Sequence, residues 1–384
     1  MVCKGGVNIK RLVCFTAAVV LCVVSCTAAN AAPREMPATS ASCAVAVELN
    51  SGRIICGKNE NSRASMASTT KIMTSLLLCE MADLDKEITV TKEMVAVEGT
   101  SMGLLEGDKV HYRDLLYGML LASGNDAAMA TAISIGGTVE GFANLMNARA
   151  KRIGMKNTHF VTPSGLDDEN HYSTAYDMAQ LAVTAMKNKV FAKACSTKKI
   201  RLSYGNPPYE RTLSNHNRLL VCCDGCKGIK TGFTKKSGRC LVSCAKRNGS
   251  GVVIVTLRDP NDWDDHMSLY DYCFGQLEKR TLELPELPII NAAGADMPAL
   301  EVTAKAPTVS LLPEDFDKLS VNVQSASLAV APVSCGEVLG KINWTLDGKV
   351  VASSDITVSH GVNSSDVAVE KNMKYWLRHM FAAG

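Results

Sequence analysis

Surplus charge is the first thing this chain lacks. Residues 1–31 carry Lys4, Lys10 and Arg11 and no acid, so 38 of the 41 basic side chains face 38 acidic ones in the remainder. A near-neutral chain gives no reason to expect a nucleic-acid partner, whose phosphates call for a basic patch. A membrane-spanning run is missing too. Leu12 to Val24 is apolar apart from Thr16, which is too short for a comfortable span. With its basic start and the small residues Ala29-Asn30-Ala31 after it, the segment reads as an export signal cleaved near Ala31. Paired histidines and a second C-x-x-C are absent around Cys222-Cys223-Asp224-Gly225-Cys226. Neither zinc nor redox chemistry therefore finds support there.

Cysteines themselves are plentiful for an exported chain. Four of fifteen lie in the leader, and the remaining eleven are an odd number that cannot all pair internally. Small buried apolar thiols account best for most of them, with room left for one or two disulfides. Val23-Val24-Ser25-Cys26 loosely matches a lipoprotein cleavage box, a less clean signal than Ala31. About 350 mature residues correspond to roughly two domains.

Strand patterns stand at Cys43 to Leu49 and Arg53 to Cys56, joined by an Asn50-Ser51-Gly52 turn. Helical stripes follow from Ser68, over 111–122, 127–135, 142–153 and 176–186. Strands return at Cys240 to Ala245 and Val252 to Leu257, and a closing helix is expected over 267–277. Strands at both ends of a helical middle imply an α+β fold, helices on an antiparallel sheet. Composition shifts near residue 282 towards Pro, Ala and Gly. Residues 286–365 read as a small all-β domain, with Asp347-Gly348 as a hairpin turn that needs positive φ twice. The last segment, 367–384, repeats apolar residues at 369, 373, 376, 377, 380 and 381 among Lys371, Lys374, Arg378 and His379. It fits an amphipathic helix, either on an anionic membrane surface or docked on the β domain.

Chemistry enters with Ser68-Thr69-Thr70-Lys71, which sets a hydroxyl and an amine one helical turn apart at the head of an apolar run. A serine needs a base to become a nucleophile, and a lysine three residues on shares its helix face. A helix N-terminus at Ser68 would favour the developing negative charge. Ser196-Thr197-Lys198-Lys199 repeats the pattern, but ahead of charge rather than an apolar helix. Two further sets complete an acyl-transfer site: Ser123-Gly124-Asn125, a second hydroxyl and an amide, and Lys230-Thr231-Gly232, a cation, a hydroxyl and a small residue. Ser320-Val321-Asn322 and Lys236-Ser237-Gly238 imitate them in the β domain and in a polar turn.

Arg63 to Thr74, Leu121 to Ala127 and Gly228 to Thr234 resemble the three active-site segments of serine-type D-Ala-D-Ala carboxypeptidases, the low-molecular-weight penicillin-binding proteins. Thr158-His159-Phe160 and Gly165-Leu166 through Asn170-His171-Tyr172-Ser173-Thr174-Ala175-Tyr176-Asp177 resemble that family more specifically still. The resemblance implies a β-lactamase/DD-peptidase-like catalytic domain over 34–281, followed by the β domain and the amphipathic tail. It also implies Ser68 as nucleophile, Lys71 as general base, Ser123 as proton relay and Asn125 on the substrate amide. Lys230 and Thr231 would hold the terminal carboxylate beside Gly232, with Ser68 and Phe233 N–H groups as the oxyanion hole. Peptidoglycan stem peptides ending in D-Ala-D-Ala and β-lactam antibiotics are the implied ligands, at the outer face of the membrane, with no metal or cofactor. The cysteine stretch before Lys230 departs from the family pattern. Alternatives are a β-lactamase, for which Asp167, Asp168 and Glu169 offer acids in the right interval, and a non-catalytic wall-binding scaffold.

Overall fold

A computed structural model of the chain describes residues 36–295 and 297–364. The expected leader (1–31) and amphipathic tail (367–384) lie outside the described residues. Strands β1 (Cys43–Glu48) and β2 (Ile54–Lys58) form a hairpin, and the chain then enters a 3-10 turn, Ala67–Thr70, which feeds α1 (Lys71–Met81). A short ribbon, β3 (Glu87–Thr89) with β4 (Lys109–His111), brackets α2 (Lys92–Val95). Helices α3 (Tyr112–Leu120), α4 (Asn125–Gly136), α5 (Val139–Ile153), α6 (Ala175–Lys187) and α7 (Lys189–Cys195) follow. A second ribbon, β5 (Lys199–Gly205) with β6 (Pro208–Ser214), precedes α8 (Leu219–Cys222). Strands β7 (Cys226–Thr234), β8 (Gly238–Arg247) and β9 (Ser250–Leu257) and the closing helix α9 (Asp262–Gln276) complete this part.

The main sheet runs β2-β1-β9-β8-β7 and is antiparallel throughout, so strands from both ends of the segment meet at its centre. Its two faces are separated by the two-residue period of a strand. Val45, Val47, Val253 and Val255 face the helical bundle, whereas Ala46, Val252 and Ile254 face α9 with Leu269 and Tyr270. Both faces being covered, β9 is buried along its whole length and carries an apolar run from Gly251 to Val255. Helix α1 is buried from Lys71 through Leu78, its polar Lys71, Thr74 and Ser75 each finding a partner inside. Thr138 and Thr174 cap α5 and α6 through their hydroxyls, accepting from Gly141 N and Asp177 N. The α+β reading therefore holds, with several helix starts moved: α1 begins at Lys71 rather than Ser68, α4 and α5 at Asn125 and Val139 rather than 127 and 142, and α9 at Asp262, ahead of the expected 267.

Among the described residues beyond 286 the regular elements are strands, apart from a 3-10 turn at Pro313–Lys318. Strands Val302–Ala304, Lys349–Val358, Val338–Leu346 and Ser320–Ser325 lie side by side in that order around Ile342, Trp344 and Ile356. The Asp347-Gly348 turn has φ of 50° and 75°, the two positive values that the hairpin demanded. Glu278–Thr281 pairs across to Thr308–Leu311, and Arg53 bonds Asp315 at 2.8 Å and Asp347 at 2.7 Å. Among the described residues no helix is long and apolar enough to cross a membrane. Eleven described cysteines are thiols, seven of them buried, which matches their reading as small core residues. No cluster of His, Cys, Asp or Glu among the described residues is arranged to hold a metal ion.

Candidate active site

Ser68 sits in the 3-10 turn ahead of α1, not in the α-helix itself, and the Lys71 amide closes that turn on Ser68 O. A 3-10 turn repeats about every three residues, which brings the Lys71 side chain back over Ser68. Lys71 Nζ lies 2.9 Å from Ser68 Oγ, 2.7 Å from Asn125 Oδ1 and 2.9 Å from Ser164 O. Asn125 is turned by its own second bond, Nδ2 to Glu98 O at 2.6 Å, so that its oxygen faces the lysine. Two of the three neighbours are thus carbonyl oxygens that can only accept. A neutral amine gives both hydrogens to them and keeps its lone pair for the Ser68 hydroxyl. Lys71 is fully buried, and burial is the chief reason its pKa falls well below the usual lysine range; the nearby Lys230 charge adds to it, and Asp126 opposes.

Ser123 and Asn125 reach the site on the turn between α3 and α4. Ser123 has φ of 58°, a region that costs a non-glycine residue of order 1–3 kcal/mol and persists only when neighbours impose it. Residues 98–104 are those neighbours. Thr100 Oγ1 donates to Ser123 O at 2.6 Å, and Asn125 N donates to Thr100 O at 2.7 Å. Asp126 in turn gathers the Met102, Gly103 and Leu104 amides on its carboxylate. From the outer side, Tyr204 OH and the Arg211 guanidinium of the β5–β6 ribbon both donate to Met102 O, and Arg211 also to Gly103 O.

The third wall is β7, an edge strand of the main sheet. A Cβ on Gly232 would stand 3.1 Å from Met66 O, Ser68 N and Thr69 N, so only glycine lets this edge approach the turn so closely. Lys230, 1% exposed, donates to Thr231 O at 2.8 Å; burial takes its pKa down to about 7. Ser68, Ser123, Asn125, Thr231, Gly232 and Phe233 line one cleft of about 390 Å³, with Lys71 and Lys230 packed into its walls. All eight residues singled out in the sequence are therefore brought together. The three imitators are not: Lys198-Lys199 leads into β5, Ser320 begins an exposed strand of the β region, and Lys236-Ser237 makes the β7–β8 turn.

Several cleft residues carried no motif. Thr100, Ser164, His216, Arg239, Asp262 and Trp263 also line it. Arg239 is held by Asp262 through Nε at 3.1 Å and Nη2 at 2.7 Å, with Trp263 beneath it. Asp167, Asp168 and Glu169 are all exposed, and Asp167 accepts from Thr234 Oγ1 at 3.0 Å. Ser164 contributes only a backbone carbonyl, for which no residue type is a signal.

A cleft-facing serine on a buried lysine, a serine–asparagine turn and a cationic strand edge define a serine acyl-transfer centre. The family model for D-alanyl-D-alanine carboxypeptidases (Peptidase_S11) matches residues 28–261. The chain belongs to that family. It is 31% identical to D-alanyl-D-alanine carboxypeptidase DacF of Bacillus subtilis over 85% of this chain and 87% of that one. It is 29% identical to DacC of Escherichia coli over 85% and 86%. Among solved structures, the carboxypeptidase DacD of Francisella tularensis superposes with a TM-score of 0.62 at 27% identity, covering 86% of this chain and 95% of that one. The D-alanyl-D-alanine carboxypeptidase of Mycobacterium tuberculosis does so at 0.60 and 31% identity, covering 64% and 95%.

Proposed function

We propose that Ser68 is the acylated nucleophile of a serine D-alanyl-D-alanine carboxypeptidase that removes the terminal D-alanine from peptidoglycan pentapeptides. The observation that carries this is the arrangement at Lys71, whose two carbonyl partners leave the amine lone pair for Ser68. Lys71 takes the hydroxyl proton as Ser68 Oγ attacks the carbonyl of the penultimate D-alanine. Amide groups of Ser68 and Phe233 receive the oxyanion, each such donor being worth about 3 kcal/mol. Ser123 gives its hydroxyl proton to the departing amine and regains one from the protonated Lys71, which returns the lysine to its neutral form; water then hydrolyses the acyl-enzyme. Asn125 meets the substrate amide, while Lys230 and Thr231 take the terminal carboxylate beside Gly232. The open edge of β7 suits an extended peptide laid along it as an added strand.

Penicillin presents a strained amide to the same serine, and its leaving nitrogen stays tethered, so the acyl-enzyme persists. Export by residues 1–31 and surface association by 367–384 would put this activity at the outer face of the membrane, where peptidoglycan lies. A separate catalytic part over 34–281 is supported by the Mycobacterium tuberculosis structure, nearly all of which is matched by about two thirds of this chain.

Mature protein incubated with labelled penicillin and with a peptide ending in D-Ala-D-Ala tests this reading. The expected result is a long-lived adduct together with released D-alanine. Rapid penicillin turnover without D-alanine release would instead make it a β-lactamase, and neither signal would leave a scaffold.

A further inference from the structure

Residues 161–165 run beside the Ser68–Lys71 turn without strand pairing, yet they carry a group that the chemistry needs. Ser164 O accepts from Lys71 Nζ at 2.9 Å, and Pro163 O accepts from Thr74 Oγ1 at 2.6 Å. A Cβ on Gly165 would fall 1.9 Å from Ala67 O, so the segment lies directly against the turn. His171 is the side chain that ties the two together. Its Nδ1 accepts from Val161 N at 3.0 Å and from Thr162 N at 3.2 Å. A neutral ring that accepts on Nδ1 carries its proton on Nε2, and Nε2 lies 2.8 Å from Thr70 Oγ1. The ring is 3% exposed and meets Phe160 edge-on at 5.8 Å.

We propose that His171 is a positioning residue for acylation, a neutral imidazole that clamps the 161–165 segment to the Ser68–Lys71 turn and so keeps the Ser164 carbonyl on Lys71. It acts through Thr70 and Ser164 and stands outside the set of side chains lining the cleft. Without the clamp the carbonyl drifts, and the amine is free to turn its lone pair away from Ser68. Protonation would break the same clamp, because a doubly protonated ring has nothing to offer the two amides. Burial guards against this by holding its pKa down to about 4. The proposal rests on Lys71 acting as the base.

The test is the rate of acylation by labelled penicillin, with Tm measured alongside, for the mature protein and for His171→Ala, His171→Gln, Thr70→Val and the Thr70→Val/His171→Ala pair. Glutamine can accept on Oε1 and donate on Nε2, so it can rebuild both arms of the clamp. His171→Ala should slow acylation on the order of 10²-fold, the cost of a small misplacement, with non-covalent penicillin affinity unchanged. His171→Gln should recover most of the rate, and the double variant should be no slower than the slower single one, because both cut one connection. Should His171→Ala fail to fold, Thr70→Val and His171→Gln carry the comparison. An alanine variant acylating at the parent rate overturns the proposal. So does a glutamine variant as slow as alanine, or a Thr70→Val variant at the parent rate, since His171 would then only fill space. A parent protein that never acylates would instead sink the carboxypeptidase reading itself.

Discussion

Lys71 illustrates how much of a catalytic role is set by one atom's neighbours. A charged lysine can donate to Ser68 Oγ, Asn125 Oδ1 and Ser164 O together, but only the neutral amine can take the serine proton. Its depressed pKa favours that form, so acylation should weaken as pH falls through the lysine's pKa and Lys71 gains its proton. Lys71→Arg keeps the donors but carries a permanent charge and has no lone pair to take the proton. It should cost on the order of 10²–10⁴ in the acylation rate, the usual worth of a general base. Stopped-flow acylation checks this, and a variant of undiminished rate would remove Lys71 from the chemistry. At this scale the Ser68–Lys71 pair was legible because three residues of sequence fix its proximity. Ser164 was not, since any residue supplies a carbonyl, and the His171–Thr70 contact joins positions 101 residues apart.

Elements decide whether the second motif is held ready. The 98–104 loop is gripped by Asp126 from within and by Arg211 and Tyr204 of the β5–β6 ribbon from outside. Arg211 also lies over the rings of Tyr204 and Tyr209, at 4.5 and 4.0 Å from their centroids. Arg211→Ala should loosen the loop, misplace Thr100 and Asn125, and slow acylation by roughly tenfold, a lesser misplacement than at the base itself. Hydrogen exchange of the 98–104 amides should rise in parallel. Unchanged exchange and rate would mean that Asp126 holds the loop unaided. The ribbon was missed in the sequence although Ile200, Leu202 and Tyr204 alternate with Lys199, Arg201 and Ser203, a period of two. Helix α9 began early because Asp262, Asp264 and Asp265 suit a first turn electrostatically while breaking the apolar stripe.

Across the whole molecule, stability and pH are linked through two buried imidazoles. His171 is held near 4, and His266 near 3 between Ser243 and Thr256, both by burial, against about 6.5 when unfolded. Between those values the unfolded chain binds more protons than the folded one, so stability falls as pH falls. Asp265 near His266 resists this trend, and Asp259, raised to about 6 by burial, works in the opposite sense over part of the range. Comparing wild type with His266→Gln isolates the imidazole's share. Glu48, Asp114 and Asp262, also raised by burial, oppose the trend too, so the readout is the difference: moving from pH 6.5 to 4 should cost the wild type more Tm than the variant. Equal slopes would mean that His266 does not change its protonation on unfolding. The α+β order was legible from apolar runs and turn residues, because those signals are local. The pairing of β1 with β9 was not, since 200 residues separate strands whose apolar patterns would suit several partners.

Everything above turns on acylation at Ser68. Mature protein treated with penicillin and digested with trypsin should yield the peptide from Ala64 to Lys71 carrying the penicilloyl mass, with tandem spectra placing it on Ser68. An adduct on any other residue, or on Ser65 within the same peptide, would contradict the account.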